Sequence, residues 1–293
     1  MKKRIINYFK YFSLFFAIAV LIFIAGCNGT PPAVPIINSF FASPSTIIAG
    51  DSTTLSWTVA NADSVTIDYG IGTVALTGIT TVNPTTDTTY TLIATSSAGP
   101  VIATVTVTVA PIETLTLQPG SEGKDAFVNS DDIYPDLNVG DSVYLLAGDN
   151  GFKNRSYIQF DLNPNPLPVG AVIIDARLKL YQDTILILPG SFNGGFYTVT
   201  SNWEENEITW NNQPTSSSDS VALPTLYDTT GNWVTCHIED FVKGWLEGSI
   251  TNYGLLLKAI DESSEDTGAR FFSSDYVTDI SKHPILEIDY YVP

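Results

Sequence analysis

The sequence predicts an all-β protein made of two consecutive β-sandwiches, with one short helix in the second. Polar and apolar residues alternate along much of the C-terminal half, while short apolar runs separated by Gly, Asn and Pro fill residues 36–109. A period of two places alternate side chains on opposite faces of a strand. Strands that are buried on one face need a second sheet to cover that face, which indicates a sandwich.

Residues 36–110 predict an immunoglobulin-like sandwich. Apolar and polar residues alternate around Trp57 and Tyr90, and turn residues separate these runs. About seven short strands in such a length are typical of this fold. Residues 44–47 (PSTI), 54–57 (TLSW) and 87–92 (DTTYTL) resemble the bacterial Ig-like repeats of secreted proteins. The resemblance implies a spacer rather than a ligand-binding module.

Residues 111–293 predict a larger jelly-roll-type sandwich of about ten strands. The clearest alternation runs through residues 155–162 and 171–181, where one face is apolar and the other is polar or aromatic. After these strands, residues 241–246 carry an apolar stripe with helical spacing. We expect Glu239 or Asp240 to cap this short helix and Gly248 to end it.

The first 26 residues have the features of a secretory signal peptide. A basic start precedes an apolar core, residues 11–25, that is shorter than the roughly 20 residues of a membrane-spanning helix. Residues 24–27 (IAGC) resemble a bacterial lipobox, which implies that Cys27 becomes the lipidated first residue. A plain cleavage site that precedes a cysteine by chance is the alternative. We expect residues 27–35 to form a tether and the protein to be lipid-anchored to the cell envelope, at the outer membrane or cell surface.

The chain holds 31 acidic and 13 basic residues, and four of the basic ones lie in the leader. The mature chain is therefore strongly acidic, which disfavours nucleic acid and anionic lipid as partners. The membrane contact that we expect is the lipid anchor alone. Its two cysteines are Cys27 and Cys236, and lipidation of the first leaves no pair for a disulfide.

Nine short motifs in the C-terminal half resemble the DNRLRE-domain family, which overlaps with carbohydrate-binding module family 96. The resemblance covers roughly residues 120–292 and implies a polysaccharide-binding sandwich. Its motifs are residues 155–162 (RSYIQFDL), 168–171 (PVGA), 176–181 (ARLKLY), 199–205 (VTSNWEE), 208–214 (ITWNNQP), 242–248 (VKGWLEG), 252–258 (NYGLLLK), 271–274 (FFSS) and 283–286 (HPIL).

The residues themselves do not predict an enzyme. Cys236 and His237 are adjacent on a predicted strand, so Cys236 points into the core while His237 faces outward with Trp233, and the two cannot form a catalytic dyad. Nucleophile-elbow, zinc-protease and phosphate-loop motifs are absent from the sequence. Glycoside hydrolysis needs only two carboxylates, and the acidic run 204–207 beside Trp203 and Trp210 is the best candidate. We interpret that run as part of a stabilised loop.

The candidate sugar-binding residues are those that face outward on the two strongest strands. Aromatic faces and planar polar groups recognise sugars, and basic groups are added for acidic glycans. If the two strands share a sheet, the set forms one basic, aromatic stripe. The alternative is a solvated face on which Asp161 and Asp175 neutralise the arginines. The set comprises Arg155, Tyr157, Gln159, Arg177, Lys179 and Tyr181.

Two acidic loops are candidates for a structural calcium ion, although neither has EF-hand spacing. A protein without calcium, and with no other cofactor, is the alternative. The first loop supplies Asp125, Asp131, Asp132 and Asp136, with Asn129 beside them. The second supplies Asp261, Glu262, Glu265 and Asp266.

The sequence thus predicts a lipid-anchored surface protein whose terminal sandwich binds extracellular polysaccharide, with acidic polysaccharide as one option. The Ig-like sandwich would act as a spacer. Two rival functions remain. A structural or adhesive surface protein would show exposed strand edges or a large apolar patch, and a polysaccharide-degrading enzyme would show a deep groove with two opposed carboxylates.

Overall fold

The computed structural model describes residues 31–119, 123–186, 190–227, 231–263 and 267–293. The predicted leader and the lipidation residue Cys27 lie outside these ranges. The chain divides into two compact units between Val109 and Ala110, next to the predicted boundary at Pro111. Within the described ranges, no helix has both the length and the apolar character needed to cross a membrane.

The first unit packs a three-stranded sheet and a five-stranded sheet around one core. Trp57 and Leu55 from one sheet contact Val65 and Leu92 from the other. The Trp57 indole N–H donates to the carbonyl of Ala75 at 2.8 Å, so its polar atom is satisfied inside the core. The strands are β1 (Ile36–Ser43), β2 (Thr46–Ile48), β3 (Thr53–Ala60), β4 (Ser64–Ile67), β5 (Gly72–Val74), β6 (Thr77–Val82), β7 (Thr88–Ser96) and β8 (Gly99–Ala110). Their order is β1-β3-β6 in one sheet and β2-β8-β7-β4-β5 in the other.

The second unit contains thirteen described strands and one α-helix, α1 (Glu239–Glu247). The prediction missed three strands that are very short or rich in Ser, because such segments lack an apolar alternation. The strands are β9 (Glu113–Leu117), β10 (Gly123–Asn129), β11 (Tyr144–Asp149), β12 (Lys153–Phe160), β13 (Val172–Ile185), β14 (Ser191–Phe192), β15 (Gly194–Val199), β16 (Ser216–Ala222), β17 (Leu226–Tyr227), β18 (Asn232–His237), β19 (Leu255–Ala259), β20 (Thr267–Phe272) and β21 (Ile285–Tyr291). The missed ones are β14, β16 and β17.

Eleven of these strands form one continuous antiparallel sheet. Its order is β16-β15-β19-β12-β11-β20-β13-β21-β9, with β10 beside β12 and β18 beside β13. Phe196 of β15 and Ile288 of β21 lie far apart in this order, yet both belong to the same hydrophobic core. The sheet therefore curves round to enclose its core as a β-sandwich, and the predicted fold class, all-β with one short helix, is confirmed.

The long strand β13 joins the two halves of this sheet. One of its edges pairs with β21 over Val172–Lys179 and then with β20 over Gln182–Ile185. A register shift between Gln182 and Thr184 marks the change of partner. The opposite edge pairs with β18. A strand of such length with a bulge is able to bend from one layer to the other.

Helix α1 covers one end of the core with Phe241, Val242 and Trp245. Its N-cap is Ile238 and it has no side-chain cap, so the prediction that Glu239 or Asp240 caps the helix is wrong. Both acids lie in the first turn instead, where they interact favourably with the helix dipole. Gly248 ends the helix in a left-handed conformation with φ of 75°, as predicted.

A segment that we call the covering loop, residues 200–215, adds a third layer outside β10, β12 and β19. Trp203 and Ile208 of this loop pack on Tyr157 and Leu256 in a second, smaller apolar cluster. The Trp203 indole N–H donates to the Tyr253 carbonyl at 2.9 Å. The tryptophan of the acidic run thus holds a loop against the sheet, as the sequence interpretation proposed.

We expect Leu178→Ala to lower the free energy of unfolding by about 2–5 kcal/mol, because it opens a cavity beneath β13. Leu178 has no exposed surface and belongs to the main core. Urea unfolding followed by tryptophan fluorescence measures the change. Leu137→Ala is the matched control: Leu137 is 59% exposed, so its loss should change stability by less than about 0.5 kcal/mol. Equal effects of the two variants would contradict the described core.

Candidate functional site

Aromatic and basic side chains gather on the outer face of the sheet around β13, β18 and β20. Trp233 is 37% exposed and Phe272 is buried between its neighbours. The remaining members are half-buried. We call this group the aromatic–cationic face; it comprises Lys179, Tyr181, Trp233, Phe272, Tyr276 and Lys282.

The strand register explains why these side chains meet. On the antiparallel pair β13 and β18, Tyr181 lies directly opposite Trp233, and their neighbours Leu180 and Val234 point into the core. Successive residues of a strand alternate between faces, so Tyr181 and Trp233 point away from the core. Phe272 follows the core residue Phe271 for the same reason, and it enters the group because β20 pairs with the far end of β13.

The rings form a connected array. Tyr181 and Trp233 meet edge to face with centroids 5.3 Å apart, and Phe272 and Tyr276 are stacked at 4.0 Å. Tyr181 joins the two pairs through Phe272 at 6.0 Å. Tyr144 of β11 extends the array, 5.5 Å from Phe272. Contacts of this kind hold each ring in a fixed orientation. The array therefore presents preorganised aromatic surface.

Each cation of the face lies over a ring. The Lys282 ammonium is 5.1 Å from the Tyr181 centroid, and the Lys179 ammonium is 5.5 Å from the Trp233 centroid. Lys179 also pairs with Glu287 at 2.9 Å, whereas Lys282 contacts Asp279 at a looser 3.6 Å. Cation–π contacts and ion pairs with the carboxylates position these ammonium groups. They do not occupy all three N–H donors of each lysine.

Arg177 occupies the same outer face but is engaged by three carboxylates. It contacts Asp175 and Asp289 at 2.6 Å and Glu287 at 3.3 Å. The hydrogen bond to Asp289 raises the pKa of Arg177 above its usual range, and the same bond lowers the pKa of Asp289. His237 adds a 2.8 Å contact to Asp175. Arg177 is therefore the centre of an ionic network, and Asp175 neutralises it as one of the sequence alternatives stated.

The predicted stripe of six residues is not continuous. Strands β12 and β13 are separated by β11 and β20 in the sheet order, so Arg155 and Gln159 lie apart from Arg177, Lys179 and Tyr181. The expectation that β12 and β13 bring the set together is wrong, because the loop between them does not make a hairpin.

The expectation that Tyr157 faces solvent is also wrong. Tyr157 is 0% exposed because the covering loop packs on that face of β12, with the Trp203 ring 5.7 Å away. Arg155 forms two hydrogen bonds to Glu262, at 2.7 and 2.8 Å, and lies 4.8 Å from the Trp210 ring. It is neutralised by Glu262, and not by Asp161 as the alternative reading had it. Gln159 is half-buried at the wall of a separate cleft.

Three carboxylates converge at one point of the second unit. One of them, Asp275, directly precedes Tyr276 of the aromatic–cationic face in the sequence. One oxygen from each of Asp125, Glu205 and Asp275 lies within 4.8 Å of the others. Asp125 is 0% exposed and accepts the Ser274 backbone N–H at 3.0 Å. Burial raises the pKa of Asp125 to about 8, and burial also raises the pKa of Glu205 and of Asp275.

This carboxylate group suits a cation better than catalysis. A hard cation such as Ca²⁺ takes several carboxylate and carbonyl oxygens at once. A glycosidase, by contrast, needs carboxylates that reach the substrate, and Asp125 has no exposed surface. Positive charge at this point would offset the repulsion and burial that disfavour three ionised carboxylates.

The other predicted calcium ligands do not join this group. Asp131 accepts the Ile133 backbone N–H, Asp136 accepts the Asn211 amide, and Asp132 is exposed. Only Asp125 of the first acidic loop converges with other carboxylates among the described residues. In the second loop Glu262 pairs with Arg155 and Lys258, while Glu265 and Asp266 lie outside the described residues.

Several residues of the site were missed by sequence reasoning. The alternation along its strand predicts that Trp233 faces outward, but nothing in its local pattern identifies Tyr181 as its neighbour across the sheet. Tyr276, Lys282 and Asp275 lie in the loop between β20 and β21, where no periodicity exists. The only sequence signal for these site residues is the presence of Tyr276 and Lys282 in the segment before β21, and that signal is weak.

Comparison with known proteins identifies the family. The model of carbohydrate-binding module family 96 matches residues 113–289, which is more than half of the chain. A search of curated proteins gives no match. One solved structure, described as the structural basis for the promiscuous specificity of the carbohydrate-binding modules from the beta-sandwich super family, is 11% identical and covers 90% of this chain and 99% of that chain. Its TM-score of 0.22 is too low to carry any conclusion about fold or ligand. The family match runs from the start of β9 into β21 and includes every residue of the aromatic–cationic face, and the chain therefore belongs to carbohydrate-binding module family 96.

Proposed function

We propose that this protein binds extracellular polysaccharide through the aromatic–cationic face of its second unit. The observation that carries the proposal is the array of Tyr181, Trp233, Phe272 and Tyr276 with lysine ammonium groups over its rings. Aromatic faces stack on the apolar face of a sugar ring, while charged donors bind its oxygen atoms. Family membership supports a carbohydrate as the ligand.

The polysaccharide is acidic. The chain has 31 acidic and only 13 basic residues, yet Lys179, Lys282 and nearby Arg270 all lie against the rings of this one surface. Lys282 has the loosest ion pair of the three, so a uronate or sulfate group can compete with Asp279 for its ammonium. Arg177 serves to hold the sheet face together.

The rest of the chain delivers this unit to the outside of the cell. Residues 1–26 act as a secretory signal, Cys27 carries the lipid, and residues 27–35 form the tether. The unit 36–110 is an Ig-like spacer between the anchor and the binding unit 111–293. The protein is held at the outer membrane or cell surface by its lipid alone.

A calcium ion at Asp125, Glu205 and Asp275 stabilises the binding surface. Asp125 receives the Ser274 backbone N–H, Asp275 is a ligand, and Tyr276 stacks on Phe272. Ser274, Asp275 and Tyr276 are consecutive in the chain, so they connect the cation directly to the aromatic–cationic face. A bound ion fixes the loop from Ser274 to Tyr276 and so preorganises Tyr276 for stacking on a sugar.

Alanine at Trp233 or Lys282 should lower affinity for an acidic polysaccharide such as alginate or pectate roughly ten-fold, about 1.4 kcal/mol. Each substitution removes a stacking surface or a cation while leaving the core intact. Affinity electrophoresis on a panel of acidic and neutral polysaccharides, with release of reducing ends monitored in parallel, measures this effect.

The matched controls are Tyr134→Ala and Lys243→Ala, an exposed tyrosine and a half-buried lysine of the same unit that lie off the face. They should bind as the unaltered protein does. Failure of the unaltered protein to bind any polysaccharide would leave an adhesive protein as the better function. Release of reducing ends would indicate a degrading enzyme.

Calcium should raise the unfolding temperature of the second unit by roughly 5–10 °C at 100 times its Kd, since such saturation adds about 2.7 kcal/mol. A chelator should reverse the shift and weaken polysaccharide binding. Asp125→Asn should abolish the shift. Asp132→Asn, which alters an exposed carboxylate outside the group, should retain it. An unaltered unfolding temperature in excess calcium would contradict the proposed calcium site.

Arg177→Ala should lower the free energy of unfolding by about 1–3 kcal/mol near neutral pH, because it removes charge-assisted hydrogen bonds to three carboxylates. The pKa of Asp289 is held below its unfolded value of 3.8 by Arg177, so this contribution is complete above pH 3.8 and is lost as pH falls further. The difference from the unaltered protein should therefore shrink below about pH 4. Urea unfolding at several pH values tests this, with Lys243→Ala as the control. A difference that stays constant down to pH 2 would rule out the network as its cause.

A further inference from the structure

A cleft lies between the C-terminal end of α1 and the loop that follows β12. Its volume is about 560 Å³, within the roughly 300–1,000 Å³ of small-ligand sites. None of the described residues that line it belongs to the aromatic–cationic face. The polar residues in its wall are Gln159, Asp161, Asn163, Asn165, Thr251 and Asn252.

Two buried polar atoms in residues of this wall have no hydrogen-bond partner in the described part of the chain. They are Oε1 of Gln159, an acceptor, and Nε1–H of Trp245, a donor. Trp245 is 8% exposed. A buried donor or acceptor without a partner destabilises the fold, so two such atoms in the residues of one wall favour an occupant that supplies both an acceptor and a donor.

The hydrogen bond made by the nitrogen of the Gln159 amide identifies which of its atoms lacks a partner. Its Nε2 donates to the Asn252 carbonyl at 2.9 Å, which leaves Oε1 as the unpartnered atom. The Asn252 side chain is itself fully engaged, because it donates to the Phe160 carbonyl and accepts the Gly254 N–H. Oε1 of Gln159 is therefore the acceptor that remains without a partner among the described residues.

We propose that this cleft binds a neutral glycosyl residue. A sugar hydroxyl both donates and accepts, so neighbouring hydroxyls can donate to Gln159 Oε1 and accept from Trp245 Nε1 after a small rotation of each side chain. Leu162, Leu246 and Ile250 supply apolar wall for the C–H face of the ring. Pockets of this composition, apolar with a few placed polar groups, are typical of small-ligand sites.

The charge of the cleft selects a neutral sugar. Asp161 is a carboxylate in the wall, and no Lys or Arg is found among the described residues that line it. A uronate or sulfated sugar would meet repulsion without a compensating cation. The cleft therefore binds a different class of ligand from the aromatic–cationic face, and different residues form it. Two sites on one unit would increase avidity for a heteropolysaccharide that carries both kinds of sugar.

The first test follows the tryptophan indole signals of the ¹⁵N-labelled protein by NMR. The chain has five tryptophans, and Trp245→Phe assigns the Trp245 signal by removing it. D-Glucose, D-galactose, D-mannose and D-xylose are titrated separately, with D-glucuronate as the acidic comparison. The Trp245 signal should shift with at least one neutral sugar and remain in place with glucuronate. A Trp245 signal that no neutral sugar moves would overturn the proposal, as would a shift confined to Trp233.

The second test measures affinity for the neutral sugar that gives the largest shift. Trp245→Phe keeps the packed ring but removes the indole donor, so affinity should fall at least ten-fold. Thr251→Val, which removes a hydroxyl from the same wall, should lower affinity at least three-fold and serves if the first variant folds poorly. Trp210→Phe is the matched control in the covering loop and should not change affinity. Unchanged affinity in both cleft variants would mean that the sugar binds elsewhere. Neither test depends on whether an acidic polysaccharide binds the aromatic–cationic face.

Discussion

The alternation of side chains along β13 is the constraint on which the rest of the second unit depends. Ala176, Leu178 and Leu180, every second residue in the middle of this strand, enter the main core. The intervening residues, Arg177, Lys179 and Tyr181, are forced by the same geometry onto the outer face. The strand that contributes these core residues therefore also carries Lys179 and Tyr181 of the binding surface. A shift of one residue in its register would exchange the two faces and destroy both.

Electrostatic balance explains why the basic residues of an acidic protein lie where they do. Arg177 and Lys179 share Glu287, and Arg270 pairs with Asp183, so each cation of the outer face is held by a carboxylate from a neighbouring position. Half-buried pairs of this kind fix long side chains in one conformation. The lysines can then present their remaining donors to a ligand with a smaller loss of conformational entropy.

In the opposite half of the sheet, the covering loop decides which side chains are buried. The outer face of β12 is covered by residues 200–215, and this layer turns Tyr157 from a surface residue into a core residue. The same loop brings Glu205 to Asp125, where its carboxylate accepts the Asp125 backbone N–H at 3.1 Å. A single irregular segment thus creates the second apolar cluster and completes the carboxylate group. The carboxylates of this group are not fully stabilised by the residues around them. Ionisable groups in such surroundings are common at ligand sites.

The sequence by itself determined the fold class, the inward faces of β12 and of the middle of β13, the end of α1 at Gly248 and the outward direction of Trp233. These features depend on local periodicity and on single-residue conformational preferences, which short stretches encode. Only the tertiary structure decided that β12 and β13 are not neighbours, that Tyr157 is buried, and that Tyr181 meets Trp233 and Phe272. It alone brought Asp125 to Glu205 and Asp275. Strand pairing and loop placement depend on contacts between residues far apart in the chain, and a period of two says which face a side chain takes but not which strand lies beside it.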